Sequence, residues 1–300
     1  MPIKPSPAVV RAADILEFLS RKPQEPQSLS EIARRTSVSK ATCQSLLLGL
    51  VDAGLVARHE SSRRYGLGPV LIPLGEAAAA GHQVSQVALP EMERLSEALL
   101  LQVIGAVQAG ARLVIVAATS PPRPFSVALP AGQTVPFVPP LGAPFVAWSP
   151  AEDIEGWLAR SPSPLDADGR QHLLEALALV RSLGFGVTFD NTVRVSLGEA
   201  VATLAEHPDA DDVRARRDDL IRRLSQVEYL PTQLDPETTY RVTQISAPVF
   251  DHNGEVVMMM AAAALGVELR LPGIRQYGEA VRAAADRVTT SIGGAPPAAA

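Results

Sequence analysis

The sequence predicts an α/β (α+β) chain in two parts: a helical N-terminal domain closed by a short hairpin, and a larger C-terminal domain built on a mainly antiparallel sheet. Three observations carry this. At 300 residues the chain exceeds the ~100–200 residues usual for one domain. Its apolar residues recur at helical spacing over the first 55 positions and then, beyond residue 100, gather into strand-like runs separated by turn residues. Its charge is divided: residues 1–75 hold ten Lys and Arg against six Asp and Glu, a net +4, while the remainder carries −9 of the overall −5. A basic end on an acidic body points to one part that meets an anion and another that does not.

Composition excludes several classes. An apolar fraction of 47% with 20% charged residues is that of a globular chain with a sizeable core. Cys43 is the only cysteine, so no disulfide framework or CxxC metal site can form, which fits a reducing cytoplasm. The start, MPIKPSPAVV, lacks the apolar core of a signal peptide. The longest apolar run, residues 256–267, is far short of the ~20 needed to cross a bilayer. A cytoplasmic protein without a membrane partner is expected.

Val9, Ala12, Ala13, Leu16 and Leu19, widened by Ile15 and Phe18, predict a helix over residues 8–20. The loop RKPQEPQ follows. Ser28 and Glu31 form an S-x-x-E capping box, so the next helix starts at Leu29, with Ile32 and the small Ala33 inward. Thr36-Ser37-Val38 makes a turn, Val38 plugs the core, and Ser37 or Ser39 caps a third helix over residues 39–53. There Cys43, Leu46, Leu47 and Leu50 fall at i, i+3, i+4 and i+7, the buried face. Cys43 is thereby read as a small core residue rather than a thiol sensor. Gly54 ends the helix, and residues 55–58 and 63–67 read as a two-stranded hairpin.

Two short helices joined by a tight turn, followed by a basic hairpin, make a winged helix-turn-helix over residues 1–70. The outer face of the third helix offers Lys40, Ala41, Gln44 and Ser45, with Ser39 and Thr42 near its start. A major groove admits such a helix. Gln44 can pair bidentately with an adenine, Lys40 can reach guanine or phosphate, and Ser39 and Thr42 suit phosphate or sugar. Arg58, Arg63 and Arg64 on the hairpin can flank the duplex backbone and add salt-dependent, sequence-independent affinity.

The order helix, SLSEIARRTSVSKAT, LLLGLVDAGLVAR, RRYGLGPVLIPLG resembles the N-terminal winged helix of the IclR family of bacterial transcription regulators. The resemblance implies a linker helix and a C-terminal effector-binding domain. It further implies a homodimer or dimer of dimers on a palindromic double-stranded operator. The chain departs from the family pattern at Ser37, where Gly is frequent, and at Ser45, where Arg is common.

The Ala-rich residues 71–87 are expected to be the linker helix, and residues 88–292 the effector-binding and oligomerisation domain. A helix over residues 85–99 carries Leu89, Met92, Leu95 and Leu99 on one face. Residues 101–109 and 112–119 read as strands around an Ala109-Gly110-Ala111 turn, and residues 125–129 as a further strand. Ser149 to Glu152 suggests a capping box opening a helix with Pro150 first. Residues 168–183 form an amphipathic helix closed by Gly184. Asn253-Gly254 is a two-residue hairpin signal, residues 272–291 form the closing helix, and 293–300 a disordered tail. Residues 191–235 stand as an inserted helical segment relative to the family pattern. Arg214/Asp218, Asp218/Arg222 and Asp219/Arg223 can pair along it, and Val213, Leu220, Leu224 and Val227 supply its apolar stripe.

Catalytic signatures are missing from the sequence: there is no GxSxG, HExxH, phosphate loop or dinucleotide fingerprint, and the five histidines make no metal-ligand spacing. No enzyme, metal or cofactor is expected. By resemblance, an effector cavity would be walled by Leu141, Gly142, Ala143, Phe189, Asp190, Gln244, Ala261 and Ala263. Ala143 stands where many members carry Lys, and Pro139 and Pro140 are added. Two alanines at usual polar positions imply an effector larger or more apolar than a small 2-oxo acid, an aromatic or apolar carboxylate, with Gln244 or Asp190 fixing one polar group. Two alternatives stay open. Ala261 and Ala263 can be packed strand residues with no cavity, or the C-terminal domain can serve oligomer or protein contacts without a ligand.

Overall fold

The computed structural model describes residues 6–20, 22–81, 83–119, 131–189, 211–224, 229–263 and 265–297, with Ser196, Ala200 and Thr203 between them. They divide into two compact units, one up to residue 82 and the other beginning at Gln83.

The first unit contains α1 (Pro7–Ser20), α2 (Leu29–Arg35), α3 (Lys40–Asp52), β1 (Val56–His59), β2 (Arg64–Leu67) and α4 (Leu71–Gly81). The Ser28 side chain caps α2 by accepting from the Glu31 N–H at 3.2 Å. The other half of the box does not form. The Glu31 carboxylate turns to Arg34 and Arg35 instead, at 2.6 and 2.9 Å, and their hydrogen bonds hold it below its usual range. The α2–α3 turn is a Schellman closure: the Val38 N–H donates to the Ala33 carbonyl at 3.0 Å while Ser37 sits at φ 54°. Ser39, not Ser37, caps α3, accepting from the Thr42 N–H at 3.2 Å. Ile15, Phe18, Leu19, Ile32, Cys43, Leu47, Val56 and Tyr65 are buried together. Burial also raises the Cys43 thiol pKa. Val9, expected inward, is 68% exposed, because the buried stripe of α1 runs through Ile15, Phe18 and Leu19 rather than through Val9 and Ala13. The loop before α2 is tied to the hairpin by reciprocal backbone bonds between Gln27 and Tyr65, 2.7 and 2.8 Å.

The second unit begins with α5 (Gln83–Leu99), so residues 83–87, assigned to the linker, open a helix that packs Val84 and Val87 onto the sheet core. Its buried apolar residues are Ala88, Met92 and Leu95, which leaves Leu89 exposed. Then come β3 (Gln102–Ala109), β4 (Arg112–Ala118), β5 (Thr134–Pro136), α6 (Ala143–Val146), α7 (Ala151–Leu158), α8 (Ala167–Leu183), β6 (Gly186–Phe189), α9 (Asp211–Leu224), β7 (Tyr240–Phe250), β8 (Val256–Ala263), β9 (Val267–Leu269) and α10 (Leu271–Ser291). The strand expected over residues 125–129 lies outside the described residues. The seven-stranded sheet has the order β5-β4-β3-β8-β7-β6, with β9 on β7, and every pairing is antiparallel.

Strand alternation sorts the sheet into two faces. Val103, Ile245, Ala247, Val249, Met258, Met260 and Ala262 meet Met92 and Leu95 of α5 and Ile274, Val281, Ala285 and Val288 of α10 in one core. Gly278 lets α10 close on the sheet: a Cβ there would stand 2.2 Å from the Phe185 ring. A second core gathers Phe137, Phe145, Trp157, Leu177, Leu220, Ile221 and Leu230 with Met259. Helix α9 thus packs Leu220 and Ile221 inward. Of its charged groups, Arg217 pairs with the adjacent Asp218 at 2.6 Å, while the Arg214 and Arg222 side chains and Val227 lie outside the described residues.

Three local expectations change. At the start of α7, Pro150 is the N-cap and no side chain caps, because the Ser149 hydroxyl turns back to the Phe145 carbonyl. The β7–β8 turn is a three-residue loop rather than a two-residue one. Gly254 takes the left-handed conformation, and its N–H donates to the Asp251 carbonyl at 3.1 Å. The Asp251 carboxylate accepts from the Asn253 and Glu255 N–H groups, both at 2.9 Å, which fixes this wider turn. Finally, the segment expected as a free tail starts bonded: the Gly294 and Ala295 N–H groups donate to the Thr289 and Asp251 carbonyls, 2.8 and 3.1 Å.

Candidate DNA-binding face and effector cavity

On α3 the inward turns of Cys43, Leu47 and Leu50 leave Lys40, Ala41, Gln44, Ser45 and Leu48 exposed. Lys40, Gln44 and Ser45 therefore stand where a groove can meet them. Ser39 and Thr42 are already engaged with each other: besides the cap bond, their hydroxyls lie 2.9 Å apart. The three hairpin arginines do not form one cluster. Arg58 pairs across from Tyr65 and Arg64 from His59, so Arg58 and Arg64 leave opposite faces of the ribbon. Arg64 donates to the Pro26 carbonyl at 3.1 Å, and Arg63 occupies the turn at φ 54°.

In the second unit, a cavity of about 180 Å³ lies between the second sheet face and the turn entering α6. Four expected residues line it: Leu141, Gly142, Gln244 and Ala261. Three do not. Ala143 is buried in the core behind the turn. Phe189 joins the first core and stacks on Tyr240 with ring centroids 4.8 Å apart. Ala263, paired with Gln102, is buried outside the lining. Asp190 lies outside the described residues.

The turn that forms one wall is held by two devices. Gly142 adopts φ 79°, and a Cβ there would stand 2.5 Å from the Phe137 ring, so glycine is required on both counts. The buried Trp157 indole donates to the Leu141 carbonyl at 3.0 Å. The sheet wall is set by register. Gln244 pairs with Thr188, Ser246 with Gly186 and Ala261, and Ala261 with Ile104. Thr188, Gln244 and Ser246 form the polar side, and Ile104, Ile115, Met259, Phe145 and Leu113 the apolar side. Among the described residues neither the Gln244 amide nor the Ser246 hydroxyl has a side-chain hydrogen bond, while Thr188 makes a long one to the Gln244 carbonyl, 3.4 Å. Ala261 therefore does not leave the wall without donors: Ser246 beside it supplies one.

Sequence reasoning missed Thr188, Ser246, Tyr229 and Leu230. Ser246 was within reach, being two residues from Gln244 on the same strand face. Tyr229 and Leu230 were not, since they lie about 40 residues beyond the strand they join, where the Phe189 N–H donates to the Tyr229 carbonyl at 3.0 Å.

The helices α1 to α3, a basic hairpin and an exposed polar face on α3 make a winged helix-turn-helix of the kind that binds DNA. Residues 8–60 match the model of the IclR helix-turn-helix domain. The first unit is thus similar to the helix-turn-helix domain of the IclR transcription regulators. The chain's fold is similar to that of an IclR transcriptional regulator from Alicyclobacillus acidocaldarius: 22% identity, TM-score 0.63, covering 96% of this chain and 100% of that one. It is also similar to IclR of Thermotoga maritima (16%, TM-score 0.54, 95% and 98% covered). A third similar structure is an IclR homolog from Microbacterium hydrocarbonoxydans, complexed with 4-hydroxybenzoate (18%, TM-score 0.58, 95% and 98% covered). At such identities the likeness is one of fold. No curated protein matches the sequence. Among the described residues no helix is long and apolar enough to cross a membrane.

Proposed function

We propose that the chain is a cytoplasmic, effector-responsive regulator whose operator binding is modulated by a small molecule in the cavity beneath the α6 turn. The observation that carries this reading is the asymmetric lining: an apolar body of wall facing Thr188, Gln244 and Ser246 on one side. Small-molecule sites combine an apolar majority with a few convergent polar groups. The volume of about 180 Å³ suits a single aromatic ring with one substituent, since a cavity of about 150 Å³ takes benzene. The 4-hydroxybenzoate complexed with the Microbacterium homolog is likewise a single-ring aromatic, with two small polar substituents.

On DNA, Lys40, Gln44 and Ser45 contact bases or adjoining phosphates, Ser39 and Thr42 orient the start of α3, and Arg58 and Arg63 reach backbone. A homodimer or dimer of dimers would place two such units on a palindromic operator. Exposed Val9, Val10, Ile72 and Leu74 of α1 and α4 support a second copy as partner. The effector acts by binding one dimer geometry better than another, which changes operator affinity through linkage.

The test is a thermal-shift screen of single-ring aromatics followed by mobility-shift titration on an operator selected in vitro. A binder should raise the melting temperature of the protein and change operator affinity, and Gln244→Leu with Ser246→Ala should abolish both effects. A protein that melts unchanged with every compound, and binds its operator unchanged, would assign the second unit to oligomer or protein contacts alone.

A further inference from the structure

We propose that Leu48 is a base-reading residue that packs on the 5-methyl group of a thymine in the major groove. Leu48 is 60% exposed, although it lies in the middle of α3, where Leu47 and Leu50 on either side turn fully into the core. It follows Gln44 by one helical turn and Ala41 by two, and so stands on the same outward ridge as both. Its exposed neighbours there, Gln44 and Ser45 and, one turn further on, Asp52, are all polar, and the N-terminal 75 residues are net basic. That setting fits a nucleic-acid face and not a contiguous apolar protein interface. Among the groups a major groove presents on base edges, the thymine methyl is the apolar one.

Gln44 and Leu48 then act as a unit. Gln44 suits the N6 and N7 atoms of an adenine, and four helical residues advance about 6 Å. Base pairs rise about 3.4 Å each, so with α3 lying along the groove the thymine falls within about two base-pair steps of that adenine.

The experiment replaces each thymine of the selected operator, one at a time, with deoxyuridine, which removes only the methyl. Full-length protein should lose roughly fourfold in affinity at one thymine per half-site, the worth of one buried methyl group. That position should lie within about two steps of the base pair at which Gln44→Ala loses its preference. Leu48→Ala should bind thymine and deoxyuridine operators equally, with an unchanged circular dichroism spectrum. Wild-type indifference to every replacement would overturn the proposal. So would a Leu48→Ala protein that keeps the wild-type ratio. If that variant instead dissociates in sedimentation while keeping the ratio, Leu48 belongs to a protein interface.

Discussion

The two units solve different problems with different kinds of contact. In the first, the two helices and turn of the DNA-binding face are set by bonds between residues close in sequence: a cap three residues away at Ser28, another at Ser39, and a closure five residues back from Val38 to Ala33. The second builds its cavity from segments more than a hundred residues apart, with Leu141, Thr188, Gln244 and Ala261 around one space. Local devices let a reading head keep its shape on a small core. A cavity needs distant walls, so it is shaped by register and by packing behind it.

The largest expected effect breaks the second kind of order. Trp157 is fully buried and holds the α6 turn through the Leu141 carbonyl. Trp157→Ala should cost about 3–5 kcal/mol by cavity formation and also leave that carbonyl unpaired. Scanning calorimetry should show the loss in the melting of the second unit. Equal loss in a transition assigned to the first unit by a separate truncation would refute the division.

A smaller effect probes the reading head without touching its fold. Gln44→Ala removes an exposed side chain with no role in the core. It should reduce discrimination at one base pair by about 1–3 kcal/mol while leaving non-specific affinity nearly unchanged. A uniform loss across operator sequences, measured by competition binding, would place Gln44 on the backbone instead.

The same contrast explains how much was legible beforehand. The start of α2, the turn and the buried face of α3 follow from neighbours at fixed offsets, so Ser28, Val38, Cys43 and Leu47 were readable in sequence. Errors there were also local: Val9 lies on a helical stripe by spacing, but the first turn of α1 exposes it. Of the cavity, Leu141, Gly142, Gln244 and Ala261 came from resemblance and not from spacing. Phe189 was misplaced because strand alternation beside the cavity-lining Thr188 sends it, with Val187, to the opposite face of the sheet and into the first core. Tyr229 and Leu230 were illegible, since nothing near them in sequence specifies which distant strand they will join. The β7–β8 turn was misjudged because the carboxylate of Asp251, two residues before Asn253, accepts from two backbone N–H groups and favours a longer loop.

The smallest effect sharpens the local side of the contrast. Ser37 is a non-glycine residue held at φ 54° by the Val38-to-Ala33 closure. The left-handed conformation costs a residue with a Cβ about 1–2 kcal/mol. Glycine avoids that cost but adds freedom to the unfolded chain, which takes back about 0.5–1 kcal/mol. Ser37→Gly should therefore stabilise the first unit by roughly 0.5–1 kcal/mol, seen as a higher denaturation midpoint with unchanged denaturant dependence. The side chain is exposed and caps nothing, the capping of α3 having fallen to Ser39. A destabilised Ser37→Gly protein would mean that the Ser37 hydroxyl contributes more than its backbone strain costs.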